Sequence, residues 1–158
     1  MIKLQHNLAK RSSDADPQGD LLHFLRDACA DASVRFGCGS GHCGACTVLI
    51  DGQAQNACTT PVWSGDGRHI QTAQGLADDE IGRVVLAAFV DEQAAQCGYC
   101  ISGILMRITG LLKHNPGANE AQIKDSLSRH LCRCGAHARI LRAVLMAQKN
   151  VQHANTLP

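Results

Sequence analysis

Nine cysteines constrain this chain more than anything else in it, because they are clumped rather than dispersed. An odd number in 158 residues does not suit a disulfide framework, which normally uses an even set in a shorter secreted chain. Clumping suits metal ligation, since several thiolates must converge on one point.

Cys38, Cys43 and Cys46 have the spacing C-x4-C-x2-C, and Cys58 follows further along. This is the plant-type ferredoxin spacing of a [2Fe-2S] centre. A two-iron cluster is larger than one zinc ion, so its ligands must wrap around it. Three thiolates come from one loop, and the fourth from a neighbouring strand. Gly37, Gly39, Gly41 and Gly44 allow the unusual backbone angles and close approach such a loop requires. Its N–H groups can then point at the anionic sulfurs and raise the potential. A zinc ribbon fits poorly, because zinc favours paired C-x2-C units in a tight tetrahedron. His42 lies inside the loop, but with four cysteines at hand it reads as a residue facing solvent or a partner.

Cys97, Cys100, Cys132 and Cys134 form the second group. Each pair stands just before a helical pattern, Ile101–His114 and Ala136–Gln148. Helix N-termini offer free N–H groups and partial positive charge, which favour thiolates and an anionic cluster. Two such helices meeting end to end would gather both pairs round one centre. Taken alone, this group also fits a zinc site, and its C-x2-C pair a redox dithiol. Cys29 shares an apolar face with Leu22 and Leu25 and reads as a buried structural thiol.

The chain divides near Thr72–Asp79, giving units of 1–73 and 74–158. In the first, Ile2–Leu8 reads as the opening strand, with no clear return strand, and Lys10–Gly19 as polar and turn-like. Leu21, Leu22, Leu25 and Cys29 mark a helix. Thr47–Ile50 and Gln53–Cys58 read as a hairpin joined by Asp51-Gly52, and His69–Thr72 as a further strand. The second unit carries four apolar stripes at helical spacing, the signature of a four-helix bundle. One begins at a capping pair, Asn119 and Gln122. After Lys149 the pattern fades into an expected loose tail. The fold class is therefore α+β.

Other classes find little support. A net charge of +1 without a basic stripe argues against nucleic-acid binding. No apolar run is long enough to span a bilayer, and the polar stretch 1–19 lacks the core of a secretory signal. No catalytic triad, carboxylate pair or phosphate loop is apparent, so substrate is not transformed on this chain.

The segments Arg35–Gly52, Gln96–Cys100 and Leu131–Gly135 together resemble the small subunit of the xanthine oxidase family, the molybdenum hydroxylases and aldehyde oxidoreductases. The likeness runs from about Leu21 to Ala147 and leans toward isoquinoline- and nicotinate-type dehydrogenases. It implies a β-grasp ferredoxin-like domain followed by a four-helix bundle, with two [2Fe-2S] clusters. The bundle cluster, on Cys97, Cys100, Cys132 and Cys134, would adjoin a molybdopterin cytosine dinucleotide held by a large partner subunit. Gln96 and Cys134 would hydrogen-bond the pterin. The cluster on Cys38, Cys43, Cys46 and Cys58 would face the electron exit, toward a cytochrome c subunit or domain rather than a flavin subunit. Assembly in the cytoplasm is implied, with a final place there or at the periplasmic face of the membrane through partners. Two departures stand out: Ile101-Ser102-Gly103 replaces the usual Thr-Pro-Gly, and the N-terminal hairpin lacks an Asn-Gly turn. A free ferredoxin-like carrier or redox sensor, and a zinc-stapled interaction module, are the competing readings.

Overall fold

The structure, a computed structural model, describes residues 1–154. Strand β1 (Ile2–His6) alternates buried and exposed residues, so Ile2, Leu4 and His6 face inward. It turns at Asn7, which adopts a φ of 50°, and returns as β2 (Ala9–Ser13). The return strand lies inside the stretch expected to be turn-like. Its sequence hides it because β2 is an edge strand, exposed at every position but Ser13, so no apolar alternation is required. Strands β3 (Thr47–Ile50), β4 (Gln53–Asn56) and β5 (His69–Gln71) complete a mixed sheet in the order β2-β1-β5-β3-β4. Among the described residues, only β1 and β5 pair in parallel. The β3–β4 turn has positive φ at Asp51 and Gly52, the type I′ geometry that suits a twisted hairpin.

Against one face of the sheet lies α1 (Leu21–His23), capped by Asp20, which continues as a wider helical turn over Phe24–Ala28. Leu21, Leu22, Leu25, Val48, Ile50 and Ile70 close this core, and Cys29 packs into it. Strand β3 is buried on both faces. Val48 and Ile50 enter the first core, while Leu49 enters a second one built by helices.

A 3-10 stretch, Ala73–Asp78, leads into α2 (Glu80–Asp91), α3 (Ile101–His114), α4 (Glu120–Ser126) and α5 (His137–Ala154). Asp79 caps α2 by accepting from the Gly82 N–H at 2.7 Å, and it pairs with Lys113 of α3. The capping box of Asn119 and Gln122 starts α4. The last helix does not stop near Lys149. Val151 is buried, and the side-chain amides of Gln148 and Gln152 donate to the carbonyls of Ala118 and Pro116. These contacts hold the C-terminal turns against the α3–α4 connection. The rest of the expected tail, 155–158, lies outside the described residues. No described helix is long and apolar enough to cross a membrane. The architecture is α+β, a ferredoxin-like sheet domain joined to a helical one, with Gly110 of α3 packed directly on Leu49 of β3.

Candidate metal centres

The Gly-rich loop before β3 turns backbone amides toward its thiols. The N–H groups of Ser40 and His42 donate to the Cys38 sulfur at 3.4 and 3.2 Å, and the Cys38 N–H donates to the Cys43 sulfur at 3.3 Å. Positive φ at Gly39, Gly41 and Gly44 turns these amides inward. The Ser40 N–H, helped by that of His42, draws the Cys38 thiol down to about 5. Deeper in, burial pushes the Cys46 thiol up to about 12, where it hydrogen-bonds Cys58 and feels Cys43. Cys58 sits on a 3-10 turn, Ala57–Thr59, just past the end of β4. Ala57 is fixed by donating its N–H to the Cys46 carbonyl at 3.2 Å. Gly37 leaves no room for a side chain, since a Cβ there would stand 2.5 Å from the Cys43 sulfur. Four thiols, with amides donating to Cys38 and Cys43, have the donor chemistry of a [2Fe-2S] cluster, while among the described residues no three ligands are gathered as a site for a single metal ion. His42 is exposed and contributes its backbone.

The second group forms where α3 and α5 begin. Cys100 is the N-cap of α3, and Cys132 and Cys134 occupy the turn before α5. The Cys100 side chain meets Cys132, and that of Cys97 meets Cys134. Burial pushes Cys100 up to about 12. The Tyr99 N–H, the largest influence on Cys97, draws that thiol down, and Cys134 adds to the effect. Burial opposes ionisation of Cys132, but the Ala136 N–H, the Cys100 side chain and the N–H groups of Cys134 and Gly135 outweigh it and lower the thiol. Helix starts thus supply part of the positive field that an anionic cluster needs. Gln96 is exposed beside this group, and Cys134 is half-buried within it. Cys29 stands apart, and burial raises its thiol.

The two groups share a seam. The Leu131 N–H donates to the Cys43 carbonyl at 3.1 Å, joining the residue before Cys132 to a thiol residue of the first group. His130 lies under the loop, its ring against the Cα of Gly44. The Thr47 hydroxyl donates to the Gly44 carbonyl at 2.8 Å and is left to accept from His130 Nε2 at 3.1 Å. Burial, aided by the charge of Arg107, drives the His130 imidazole down to about 4, so it is neutral. The Tyr99 hydroxyl donates to the Phe36 carbonyl across the same seam.

Sequence reasoning did not find His130, Gly103 or the hydroxyl of Tyr99. One signal was present: Gly103 and Gly110 stand inside an apolar helical stripe, where glycine costs about 1 kcal/mol unless close packing needs it.

Residues 11–86 match the 2Fe-2S iron-sulfur cluster binding domain, and residues 72–145 the [2Fe-2S] binding domain. One of the nicotinate dehydrogenase subunits of Pseudomonas putida is 45% identical over 92% of this chain and 93% of its own length. The structure also superposes on quinoline 2-oxidoreductase of Pseudomonas putida 86, with a TM-score of 0.87 and 28% identity over 96% of this chain and 95% of that one. Aldehyde oxidoreductase of Desulfovibrio gigas gives a TM-score of 0.88 at 28% identity over 98% of this chain, which spans 18% of that longer one. Its sequence kinship, its domain matches and its fold agree, and the chain belongs to the small [2Fe-2S] iron–sulfur subunits of the xanthine oxidase and aldehyde oxidoreductase family, the molybdenum hydroxylases.

Proposed function

We propose that this chain is the electron-relay subunit of an oxidoreductase that hydroxylates an N-heterocycle or an aldehyde on a large molybdopterin subunit. The observation that carries the reading is the seam: the two thiol groups are joined by the hydrogen bond from Leu131 to Cys43. Cys38, Cys43, Cys46 and Cys58 are assigned to one [2Fe-2S] cluster, and Cys97, Cys100, Cys132 and Cys134 to the other. Each cluster, when bound, supplies a site that takes up and releases one electron. The protein's part is to hold the thiolates, exclude bulk water from Cys46 and Cys100, and aim amides at the sulfurs. These amides favour the more negative reduced state. The division into 1–73 and 74–158 follows the same assignment, one cluster to each unit.

The outer rim of the bundle group supports a partner there, because Gln96 and Cys97 are both exposed. Gln96 and Cys134 are assigned to the pterin of molybdopterin cytosine dinucleotide on the large subunit. Cys38 is exposed on the other group and marks the exit side. On the likeness to isoquinoline- and nicotinate-type enzymes, our reading gives the acceptor as a cytochrome c subunit or domain. The same reading has cofactor insertion in the cytoplasm, with a final place there or at the periplasmic face of the membrane.

The test is isolation of the native complex, with metal analysis and low-temperature EPR after dithionite reduction. Four irons per chain, two distinct [2Fe-2S] signals and co-purifying molybdenum are expected. Haem in the same preparation identifies the acceptor. Zinc without an EPR signal overturns the reading, and two clusters without molybdenum or a large partner replace it with a free carrier.

A further inference from the structure

Tyr99 links the bundle group to the approach of the ferredoxin-like loop. It stands between Cys97 and Cys100 of the bundle group. Its hydroxyl donates to the carbonyl of Phe36, which lies 63 positions away on the approach to the ferredoxin-like loop. The phenol ring carries a second contact, with the Arg35 guanidinium 5.7 Å from its centroid. Phe36 in turn lays its ring 3.2 Å from where a Cβ of Gly39 would stand, so the tethered segment lies directly on the loop that holds Cys38 and Cys43. None of this is needed to fill a core. Tyr99 is 50% exposed and Phe36 47%, so the contacts are not a by-product of burial.

From this geometry we infer that Tyr99 is a positioning residue that sets the spacing and orientation of the two cluster sites. The inference rests on the relay reading above. The Leu131–Cys43 and His130–Thr47 hydrogen bonds and the Gly103–Gly44 contact tie the far side of the loop, around Cys43 and Gly44. The Tyr99 hydroxyl supplies a tie on the other side, from between Cys97 and Cys100 to the segment that leads into Cys38, and the Arg35 contact restrains the ring that carries it. A tie on that side restrains the orientation of the loop as well as its distance. Electron transfer between two centres depends steeply on both. A site whose supporting residues are loose is costly even when every ligand is in place.

Tyr99→Phe in the native complex tests this, because it removes one oxygen and keeps the ring. Both clusters are expected to load fully and to keep their separate EPR g-values. The magnetic interaction between the two reduced clusters is expected to weaken or broaden, and transfer between them, followed after rapid mixing, to slow several-fold. Arg35→Leu, which leaves Tyr99 intact, is expected to shift the interaction in the same direction by less. An interaction splitting and a transfer rate equal to the native ones in both variants overturn the inference. Loss of iron from either site in Tyr99→Phe also overturns it, since the hydroxyl would then govern cluster binding rather than spacing. Failure of the relay reading looks different: the native complex itself would lack two interacting [2Fe-2S] signals.

Discussion

Gly103 of α3 faces the backbone of Gly44 so closely that a Cβ built on it would stand 2.1 Å from the Gly44 carbonyl oxygen. The obstacle is main chain that cannot rotate aside. Helix α3 and the cluster loop are therefore in direct backbone contact, just where Cys100 begins the helix. Gly103→Ala is expected to push the loop off the helix and destabilise the protein by about 1–3 kcal/mol, the usual cost of overpacking. Thermal unfolding of the holoprotein reads the change. An unchanged midpoint would mean the helix shifts freely and the contact carries no strain.

The two thiol groups stand on different elements, one on the loop before β3 and the turn after β4, the other at the starts of α3 and α5, so their ligands are expected to fail separately. Cys58→Ser is expected to halve the iron and abolish one reduced EPR signal, and Cys132→Ser to abolish the other. Cys29→Ala, in the first core, is expected to keep all the iron and lower stability modestly. Iron analysis of the three variants side by side checks the assignment.

Acid sensitivity is expected to centre on Asp31, which is fully buried. Burial alone would raise its carboxyl. His6 Nε2 at 2.8 Å, Ser33 Oγ at 2.6 Å, Thr72 Oγ1 at 2.6 Å and the Ser33 N–H at 2.9 Å overcome this and hold it well below the usual carboxylate range. A depressed folded value means the stabilisation is present above the unfolded value of 3.8 and is lost as pH falls through the folded one. Stability should therefore decline steeply below about pH 4. Asp31→Asn is expected to cost about 3 kcal/mol at neutral pH, as in other buried pairs with one partner removed, and to flatten that acid limb. Denaturant midpoints against pH give both quantities.

Asp79 performs two tasks that substitution can part. It caps α2, and it pairs with Lys113 of α3. Burial raises its carboxyl, but Lys113 and the Gly82 N–H bring it down on balance. Asp79→Asn keeps the cap and removes the charge, and is expected to cost less than Asp79→Ala, which also forfeits about 1 kcal/mol of capping. Equal losses from the two variants would show that the cap is dispensable.

Much of this was readable from the residues. The Cys38, Cys43, Cys46 and Cys58 spacing encodes a local loop, and local geometry follows from sequence. So does the Asp51-Gly52 hairpin, whose two positive φ values name its turn. Strand β2 escaped because an exposed edge has no period to betray it. The extra turns of α5 escaped because they are held by Gln148 and Gln152, polar side chains whose partners lie 30 and 36 positions away. The seam escaped for the same reason. His130, Gly103 and Tyr99 matter through what they touch, and their partners belong to the other half of the chain.

The contact of His130 with Thr47 spans 83 positions. On a ribosome making about 5–20 residues per second, the Gly44 loop therefore waits roughly 4–17 s for the imidazole that seats beneath it. Throughout that interval its thiols stand open to whatever delivers iron. Once Leu131 has closed on Cys43, the buried Cys46 is screened by the folded halves while Cys38 stays exposed. Seating of the loop is therefore expected to follow the order of synthesis, with the thiols in place before the imidazole that supports them.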